Sequence, residues 1–430
     1  MLTLKNNIPP MKLPSMRCFR RTVLFAAAIP LVALAAVAQT PPSSSQGSIA
    51  RALQPFVDKQ VTPGCVALVA SKDRVLCLET VGYSDLATKK PMQADNVFWI
   101  ASMTKSLTGA ALMMLVDEGK VSIDDPVEKY LPEFKGQMVV DAKDKDHPHP
   151  PKHPVTIREM MDHTSGLPQS EGLTSKGKQF TSLKDDIATY AAASLQWEPG
   201  SKFEYNNAGI NTGGRIIEVI SGMPYAQFMQ ERLLTPLGMK DTSFWPNQEQ
   251  VQRIARAGKF NADKTVLENM DYNPEHVKDP RVPEGALSLY NRSIILTYIN
   301  HYAMPAGGLF STATDVMKFC QMLLNGGVSG GKRYLSEAAI KQMATDNAGA
   351  ALVKPEEGYG VGCFVEKIDL EGHPSIGSFG HRGAWKTMMW VDPKKQLVMV
   401  LMQQCTKLSK EDEAGIYAAF IKAAEEKYGK

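Results

Sequence analysis

Residues 98–119 read FWIASMTKSLTGAALMMLVDEG, and this stretch does most to define the fold of the chain. From Leu107 to Leu115, apolar side chains recur at the three- and four-residue spacing of one helix face, and Gly119 is a stop signal. The other faces are apolar too, which predicts a helix buried on most of its sides. The helix is expected to begin beside two polar residues, Ser102 and Lys105.

Ser102 and Lys105 have the spacing of an activated nucleophile. Residues three apart share a helix face, so the Lys105 amine can reach the Ser102 hydroxyl. A serine hydroxyl needs an adjacent base near neutral pH, and burial lowers the pKa of a lysine as such a base requires. Backbone N–H groups at the helix start can hold an oxyanion. A helix N-cap beside a lysine that extends to solvent has the same spacing, so this pair alone does not establish catalysis.

The beginning of the chain is predicted to be an export signal. Residues 1–38 carry five basic and no acidic side chains, and an apolar run over 23–38 ends in the small-x-small pattern of a cleavage site. Residues 39–50 are interpreted as a flexible tether. The apolar run is short and contains Pro30, so no stable membrane span is expected after cleavage; an uncleaved anchor is the alternative. We therefore expect an exported protein, periplasmic or secreted.

The remaining composition excludes several classes of function. Without residues 1–38 the chain has 43 basic and 45 acidic side chains, which gives no reason to expect nucleic-acid binding. Five cysteines remain, an odd number; Cys65 and Cys77 flank a predicted hairpin and can bridge, but buried free thiols are favoured. No zinc pattern occurs, and the histidines of residues 141–155 are interpreted as part of a solvated loop. We expect no metal and no cofactor.

Both ends of the chain are predicted to be rich in strands, and the middle is predicted to be helical. The predicted strands are 66–69, 75–78, 359–365, 386–391 and 397–402, and the predicted helices are 157–161, 185–193, 213–220, 225–234 and 410–428. The simplest assembly is an α/β protein of the α+β type. Residues 51–125 and 301–430 form an antiparallel sheet flanked by helices, and residues 126–300 form a helical, loop-rich domain. A cleft between the two is the expected site.

Two further motifs complete a candidate site. Tyr205 and Asn207 precede a predicted helix; a tyrosine near a lysine can shuttle protons, and an asparagine offers a donor and an acceptor to a substrate. Tyr298 lies in a similar motif, but within an apolar run, and is interpreted as a core residue.

His381 and Gly383 lie at a predicted strand edge, where a glycine lets a substrate approach closely. The N–H of Ala384 is then the second oxyanion donor beside that of Ser102. An edge histidine and a turn glycine explain the same residues equally well.

Taken together, these motifs resemble those of the penicillin-recognising serine hydrolases, which include class C β-lactamases, D-alanyl-D-alanine carboxypeptidases and β-lactamase-fold esterases. That family has Ser-x-x-Lys, Tyr-x-Asn and Lys-Thr-Gly or His-x-Gly in this chain order. The resemblance spans roughly residues 52–401, and its supporting segments include HTSGL at 163–167, PLGM at 236–239 and PAGGL at 305–309. It implies a fold like that of β-lactamases and penicillin-binding proteins.

The resemblance also implies roles for individual residues. Acyl transfer proceeds through a covalent ester on Ser102, with Lys105 and Tyr205 sharing the general-base and general-acid steps; the sequence does not decide which of them takes the serine proton. Asn207 positions the substrate amide or ester. His381 lines the far wall of the site, and Ala384 completes the oxyanion hole.

One departure bears on the substrate. Most β-lactamases have lysine where this chain has His381, and a neutral histidine is a poorer partner for a carboxylate. Arg382 is next to it on the strand and is expected to face the other way. The prediction is a serine hydrolase that acts on small-molecule esters, small amides or D-amino-acid peptides. The alternatives are a weak β-lactamase and a penicillin-binding module that acylates slowly and binds or senses cell-wall fragments.

Overall fold

The structure, a computed structural model, describes residues 47–141, 144–168, 182–261, 263, 266–269, 302–349, 356–406 and 408–429. These described residues all belong to one compact unit. The predicted signal peptide, most of the predicted tether and Tyr298 lie outside the described residues. In the part of the chain that is described, no helix is both long and apolar enough to cross a membrane.

An antiparallel sheet made from both ends of the chain forms the centre of the structure. The strands are β1 (Gly64–Ala70), β2 (Val75–Asp85), β3 (Lys90–Pro91), β4 (Phe98–Trp99), β5 (Val139–Asp141), β6 (Asp144–His149), β7 (Gly258–Phe260), β8 (Leu267–Asn269), β9 (Phe310–Ser311), β10 (Val328–Ser329), β11 (Lys332–Arg333), β12 (Glu357–Tyr359), β13 (Phe364–Glu366), β14 (Phe379–Arg382), β15 (Met388–Asp392) and β16 (Leu397–Gln403). The eight-stranded sheet has the order β12-β13-β14-β15-β16-β1-β2-β3, and the other strands form four pairs. The predicted fold class is confirmed.

The middle of the sheet is buried on both faces. β1 and β16 are buried along their whole length, and their antiparallel register pairs Cys65 with Gln403. Because successive strand residues face opposite sides, Val66 and Leu68 enter the larger core, whereas Cys65 and Val69 enter a second core beneath the first and last helices. The five described cysteines are all buried and unbridged.

Helices cover both faces of the sheet. They are α1 (Ser48–Asp58), α2 (Thr104–Asp117), α3 (Ile157–Met161), α4 (Leu183–Ala191), α5 (Ala208–Ser221), α6 (Tyr225–Phe228), α7 (Gln248–Gln252), α8 (Ala313–Leu324), α9 (Glu337–Met343) and α10 (Lys410–Tyr428). Helix α2 is buried without interruption from Thr104 to Leu115, as its all-round apolar sequence predicts, and it packs against α5 and α9.

The predicted strand at 359–365 is wrong, because this segment is a tight hairpin. β12 ends at Tyr359 and β13 begins at Phe364, and these two residues pair with each other. Between them Gly362 has a φ of 72°, a left-handed conformation that glycine adopts without strain. The reversal places the rings of Tyr359 and Phe364 4.8 Å apart, between their centroids.

Other boundaries also differ from the predictions, among them the end of β2 at Asp85 and the start of α5 at Ala208. α1 begins at Ser48, inside the stretch interpreted as a tether. The helix predicted over 225–234 is divided between α6 and a π-helical turn, Met229–Leu234. Part of the predicted loop at 141–155 is strand β6, paired only with β5, where an edge position tolerates proline. The proposed domain boundaries at 125 and 300 stay a prediction.

Candidate active site

Ser102 lies in the turn just before the buried helix α2. A 3-10 turn, Ala101–Met103, leads from β4 into α2, and Ser102 is only partly buried there. Ala101 has a φ of 44°, a conformation that is costly for a residue with a side chain and that clusters at functional sites. The nucleophile candidate therefore lies on a strained turn rather than in a regular helix.

Lys105 is completely buried and makes three short polar contacts. Its Nζ lies 3.1 Å from Ser102 Oγ, 2.8 Å from Asn207 Oδ1 and 2.7 Å from the carbonyl oxygen of Ala306. Burial lowers the pKa of Lys105 well below its ordinary value of 10.5. A neutral amine has two N–H groups and one lone pair. The two carbonyl oxygens accept the two N–H groups, which leaves the lone pair for the Ser102 hydroxyl.

Tyr205 lies on the other side of this pair. Its hydroxyl is hydrogen-bonded to Ser102, and Lys105 Nζ is 4.9 Å from the centre of its ring. Burial raises the pKa of Tyr205, so its hydroxyl stays protonated. Of the two bases that the sequence leaves open, the geometry and these pKa directions favour Lys105.

Asn207 touches the lysine directly. It is the N-cap residue of α5, and its side-chain oxygen accepts a hydrogen bond from Lys105. The sequence assigned Asn207 to the substrate; the structure adds a contact with the base. Ala306, the third partner of the lysine, lies within the PAGGL segment that supported the resemblance, although nothing in the sequence assigned its carbonyl a role.

His381 is fully buried, and both of its ring nitrogens are occupied inside the protein. Nδ1 lies 2.7 Å from the carbonyl oxygen of Arg382, which can only accept, and Nε2 lies 3.0 Å from the hydroxyl of Tyr359. Nδ1 therefore carries the proton, and Nε2 accepts from Tyr359. Burial lowers the pKa of His381 well below 6.5, which keeps the ring neutral. His381 thus supports the wall of the site from behind instead of forming its surface.

Aromatic rings pack around His381; the two that are partly exposed, Tyr205 and Phe364, lie 6.2 and 4.9 Å from the histidine ring, between centroids. Phe364 stacks on Tyr205 with centroids 6.1 Å apart, and Tyr359 lies against His163 at 4.5 Å. His163 also lies 4.5 Å from Tyr205. This aromatic wall holds the Tyr205 ring next to Ser102. The sequence pattern identified neither Tyr359 nor Phe364, because their positions depend on the hairpin between β12 and β13.

Arg382 follows His381 on β14 and binds an acid. It forms an ion pair with Glu357 of β12, and its guanidinium lies 5.0 Å from the centre of the Phe364 ring. Phe364 in turn lies 4.9 Å from the His381 ring, between centroids, and the charge of Arg382 acts on the pKa of both His381 and Tyr205, so Arg382 is not separated from the site as strand alternation predicted. The positive charge of Arg382 is thus offset by a partner within the sheet.

Gly383 allows two parts of the protein to approach each other closely. A Cβ atom at Gly383 would lie 2.1 Å from Thr387 Oγ1 and 2.5 Å from the carbonyl oxygen of Ile100. The strand end therefore lies directly against the turn that carries Ser102. Ala384 follows on an exposed turn, and its N–H has no partner among the described hydrogen bonds, as an oxyanion donor requires.

Trp385 fixes the other side of the same turn. Its indole ring is buried and lies 5.7 Å from that of Trp99, which donates a hydrogen bond of 2.6 Å to the carbonyl oxygen of Gly307. Among the described residues no three His, Cys, Asp or Glu side chains are grouped as a metal ion requires. The polar groups gathered around Ser102 are a serine hydroxyl, an amine and a phenol.

Comparison with known proteins agrees with this geometry. A family model described as Beta-lactamase matches residues 49–424. The chain is 30% identical over 383 residues to Protein Rv1367c of Mycobacterium tuberculosis, which covers 84% of this chain and 90% of that protein. It is 25% identical over 349 residues to Esterase EstB of Burkholderia gladioli, covering 76% of this chain and 80% of the esterase.

A solved structure has the same fold. EstCE1, described as a hydrolase with promiscuous acyltransferase activity, matches with a TM-score of 0.68 at 23% identity, over 87% of this chain and 97% of that one. At this identity the match concerns the fold alone. The family model covers most of the chain, and the resemblance expected from the three motifs is confirmed. The chain belongs to the Beta-lactamase family, the superfamily of serine β-lactamases and penicillin-binding proteins.

Proposed function

We propose that this protein is a serine hydrolase that cleaves uncharged esters, and more slowly small amides, through a covalent acyl-Ser102 intermediate. One observation carries the proposal: the buried Lys105 Nζ lies 3.1 Å from Ser102 Oγ and within hydrogen-bond distance of two carbonyl oxygens, those of Asn207 and Ala306. In its neutral form the amine gives its two N–H groups to these oxygens and keeps its lone pair for the Ser102 hydroxyl. A serine is a competent nucleophile when such a base accepts its proton.

Acylation follows from the positions of three side chains. Lys105 takes the hydroxyl proton as Ser102 Oγ attacks the substrate carbonyl carbon, and the N–H groups of Ser102 and Ala384 hold the resulting oxyanion. The tetrahedral intermediate then collapses to the acyl-serine ester. Tyr205, hydrogen-bonded to Ser102, gives its proton to the departing alkoxide and regains one from Lys105. The products of this half-reaction are an alcohol and the acyl-enzyme.

Deacylation repeats these steps with water. Lys105 and Tyr205 take a proton from the water as its oxygen attacks the acyl carbon. Ser102 leaves with a proton returned from the same pair, and the acid is released. Because Lys105 has returned to its neutral form, the cycle closes without any other proton donor.

The charges around the site support an uncharged substrate. Burial lowers the pKa of Lys105 well below its ordinary value and so favours the neutral amine, both ring nitrogens of His381 are occupied, and Arg382 is paired with Glu357. A substrate carboxylate next to this wall therefore finds no unpaired cation among these groups. This arrangement favours esters over β-lactams and peptide C-termini, and the name of the relative Esterase EstB points the same way.

Export to the periplasm or the medium is part of the proposal. It is supported by the basic and apolar pattern of residues 1–38 alone. Fractionation of cells that express the full chain tests it, together with the mass of the mature N-terminus, which is expected at residue 39.

The decisive experiment measures turnover of p-nitrophenyl butyrate. The wild-type protein is expected to show many turnovers per active site, and the Ser102→Ala variant none. Ser106→Ala, which removes a serine one turn further along α2 that bonds to Gly362, serves as the control and is expected to keep activity. A burst of one equivalent with no further release supports instead a slowly acylating binding module. Faster hydrolysis of nitrocefin than of the ester contradicts the proposed substrate class.

A further inference from the structure

A second group of buried polar residues is connected to Lys105 through a single residue. Ala306 accepts a hydrogen bond from Lys105 at its carbonyl oxygen, at 2.7 Å. The N–H of Ala306 donates in turn to Asn211 Oδ1 at 3.0 Å. Asn211 follows Asn207 by four residues on α5, so both asparagines lie on one helix face. One of them contacts the lysine directly, and the other contacts it through Ala306.

The orientation of the Asn211 amide is set by a buried carboxylate. Asn211 Nδ2 lies 3.4 Å from Asp186 Oδ2 and 3.4 Å from the hydroxyl of Tyr302. Tyr190 and Tyr302 both donate to the same Asp186 oxygen. A carboxylate oxygen in this position acts as an acceptor, so the nitrogen of the amide faces Asp186 and its oxygen faces Ala306. With the amide reversed, two oxygens would face each other and two N–H groups would face each other.

Helix α2 holds the neighbouring peptide. The carbonyl oxygen of Pro305 accepts a hydrogen bond of 2.7 Å from Thr108 Oγ1. Thr108 also lies 2.7 Å from the Tyr225 hydroxyl, which fixes the position of its own side chain. Residues 305 and 306 are therefore attached to α2 at their carbonyl oxygens and to α5 at the Ala306 N–H. Rotation of the Ala306 peptide is opposed from both helices.

We propose that Asn211 and Asp186 are positioning residues for the reaction. They hold the Ala306 carbonyl where it accepts one N–H of Lys105, so that the lysine lone pair faces Ser102. The inference rests on the proposed function, in that Lys105 is taken as the base. Neither residue touches Ser102, and neither belongs to the three motifs that identify the site.

The first test replaces Asn211 by alanine, which retains the helix because alanine is the best helix former. The rate at which a fluorophosphonate probe labels Ser102 is expected to fall by about 30- to 100-fold, since a misplacement of about 1 Å costs up to this much. For ester turnover, kcat is expected to fall by the same factor with KM changed less than about threefold. The control is Thr212→Val, which removes a buried hydroxyl of α5 that, among the described residues, bonds to Ala208 of its own helix; it is expected to label at the wild-type rate.

The second test compares two variants of Asp186. Asp186→Asn keeps an oxygen that accepts from both tyrosines and from Asn211, and it is expected to label within about threefold of wild type. Asp186→Ala removes that oxygen and is expected to slow labelling by about tenfold. Circular dichroism and thermal unfolding show whether Asn211→Ala folds. If it does not, the two Asp186 variants still test the inference.

Labelling separates this inference from the proposed function. If the wild-type protein labels at Ser102 but turns over no ester, the proposed function fails while the labelling comparisons still test the positioning role. Wild-type labelling rates in folded Asn211→Ala overturn the inference, as do equal rates for the two Asp186 variants. A loss confined to KM also contradicts it.

Discussion

Lys105 at the start of α2 and His381 at the end of β14 are both completely buried nitrogen bases, and burial lowers the pKa of each. The two bases differ in their hydrogen-bond partners. Lys105 has two acceptors, which use its N–H groups and leave the lone pair for Ser102. His381 has one acceptor and one donor, which use both nitrogens and leave nothing for a substrate. Burial makes a base neutral, and its hydrogen-bond partners determine whether it can act.

The largest effect is therefore expected at Lys105. Lys105→Ala removes the base and should lower kcat for p-nitrophenyl butyrate by about 10³- to 10⁴-fold, in the upper range of general acid–base catalysis. Circular dichroism is expected to be unchanged, because a smaller neutral side chain replaces a buried amine. Lys120→Ala, an exposed lysine paired with Glu118 just beyond α2, is the control and should retain full activity.

The pH dependence of ester hydrolysis also tests the assignment of Lys105 as the base. A base must be neutral to act, so activity is expected above the pKa of Lys105 and should be lost as the pH falls through it. Because burial lowers that pKa well below 10.5, the wild-type rate should already be near its maximum far below pH 10.5. An activity that rises only near pH 10 contradicts a desolvated lysine base.

A smaller effect is expected at His381. His381→Ala leaves the Tyr359 hydroxyl and the Arg382 carbonyl without their partner and opens a cavity, which should lower the free energy of unfolding by about 2–3 kcal/mol. kcat should fall by only about tenfold, through loosening of the aromatic wall behind Tyr205. Urea unfolding and ester kinetics on one preparation separate the two effects. A loss of kcat as large as that of Lys105→Ala means that His381 takes part in the chemistry.

The same comparison explains what could be predicted from the sequence. Ser102 and Lys105 lie on one helix turn, so their spacing alone predicts their contact. The buried helix α2 and the sheet built from both chain ends follow from periodicity of apolar residues in the same way. The Tyr359 contact to His381 depends on a hairpin that appears as one strand in the apolar pattern, because only the conformation at Gly362 reveals the reversal.

Contacts between segments that are far apart in the sequence could not be predicted, for a different reason. The Ala306 carbonyl reaches Lys105 across 201 residues of sequence, and Asn211 reaches Ala306 across 95. Side chains that meet only after helices pack leave no spacing pattern along the chain. Motif order predicted which residues gather at the site, but not that Asn207 would contact the lysine or that His381 would be enclosed.

A change in substrate preference is expected at Glu357. Glu357→Gln removes the partner of Arg382, whose positive charge already acts to lower the pKa of Tyr205. Relative to a neutral ester, kcat/KM for an ester with an acyl-chain carboxylate, such as p-nitrophenyl hemisuccinate, should rise by about three- to tenfold. The neighbouring Glu356→Gln, at an exposed position, is the matched control. An unchanged ratio of the two esters shows that the Arg382–Glu357 pair does not exclude carboxylates.

The smallest effect is expected at Lys386, which closes the turn after Ala384. It has a φ of 69° and forms an ion pair of 2.6 Å with Glu413 of α10. Lys386→Ala loses the ion pair and keeps the strained conformation, whereas Lys386→Gly loses the ion pair and removes the strain. The left-handed conformation costs a residue with a Cβ about 1–2 kcal/mol, partly offset by the greater freedom of glycine in the unfolded chain. The glycine variant should therefore be more stable than the alanine variant by about 1 kcal/mol in urea unfolding. If the alanine variant is as stable as the glycine variant or more stable, the turn beside Ala384 relaxes when Lys386 is replaced. In that case the ion pair, and not the turn itself, holds the left-handed conformation.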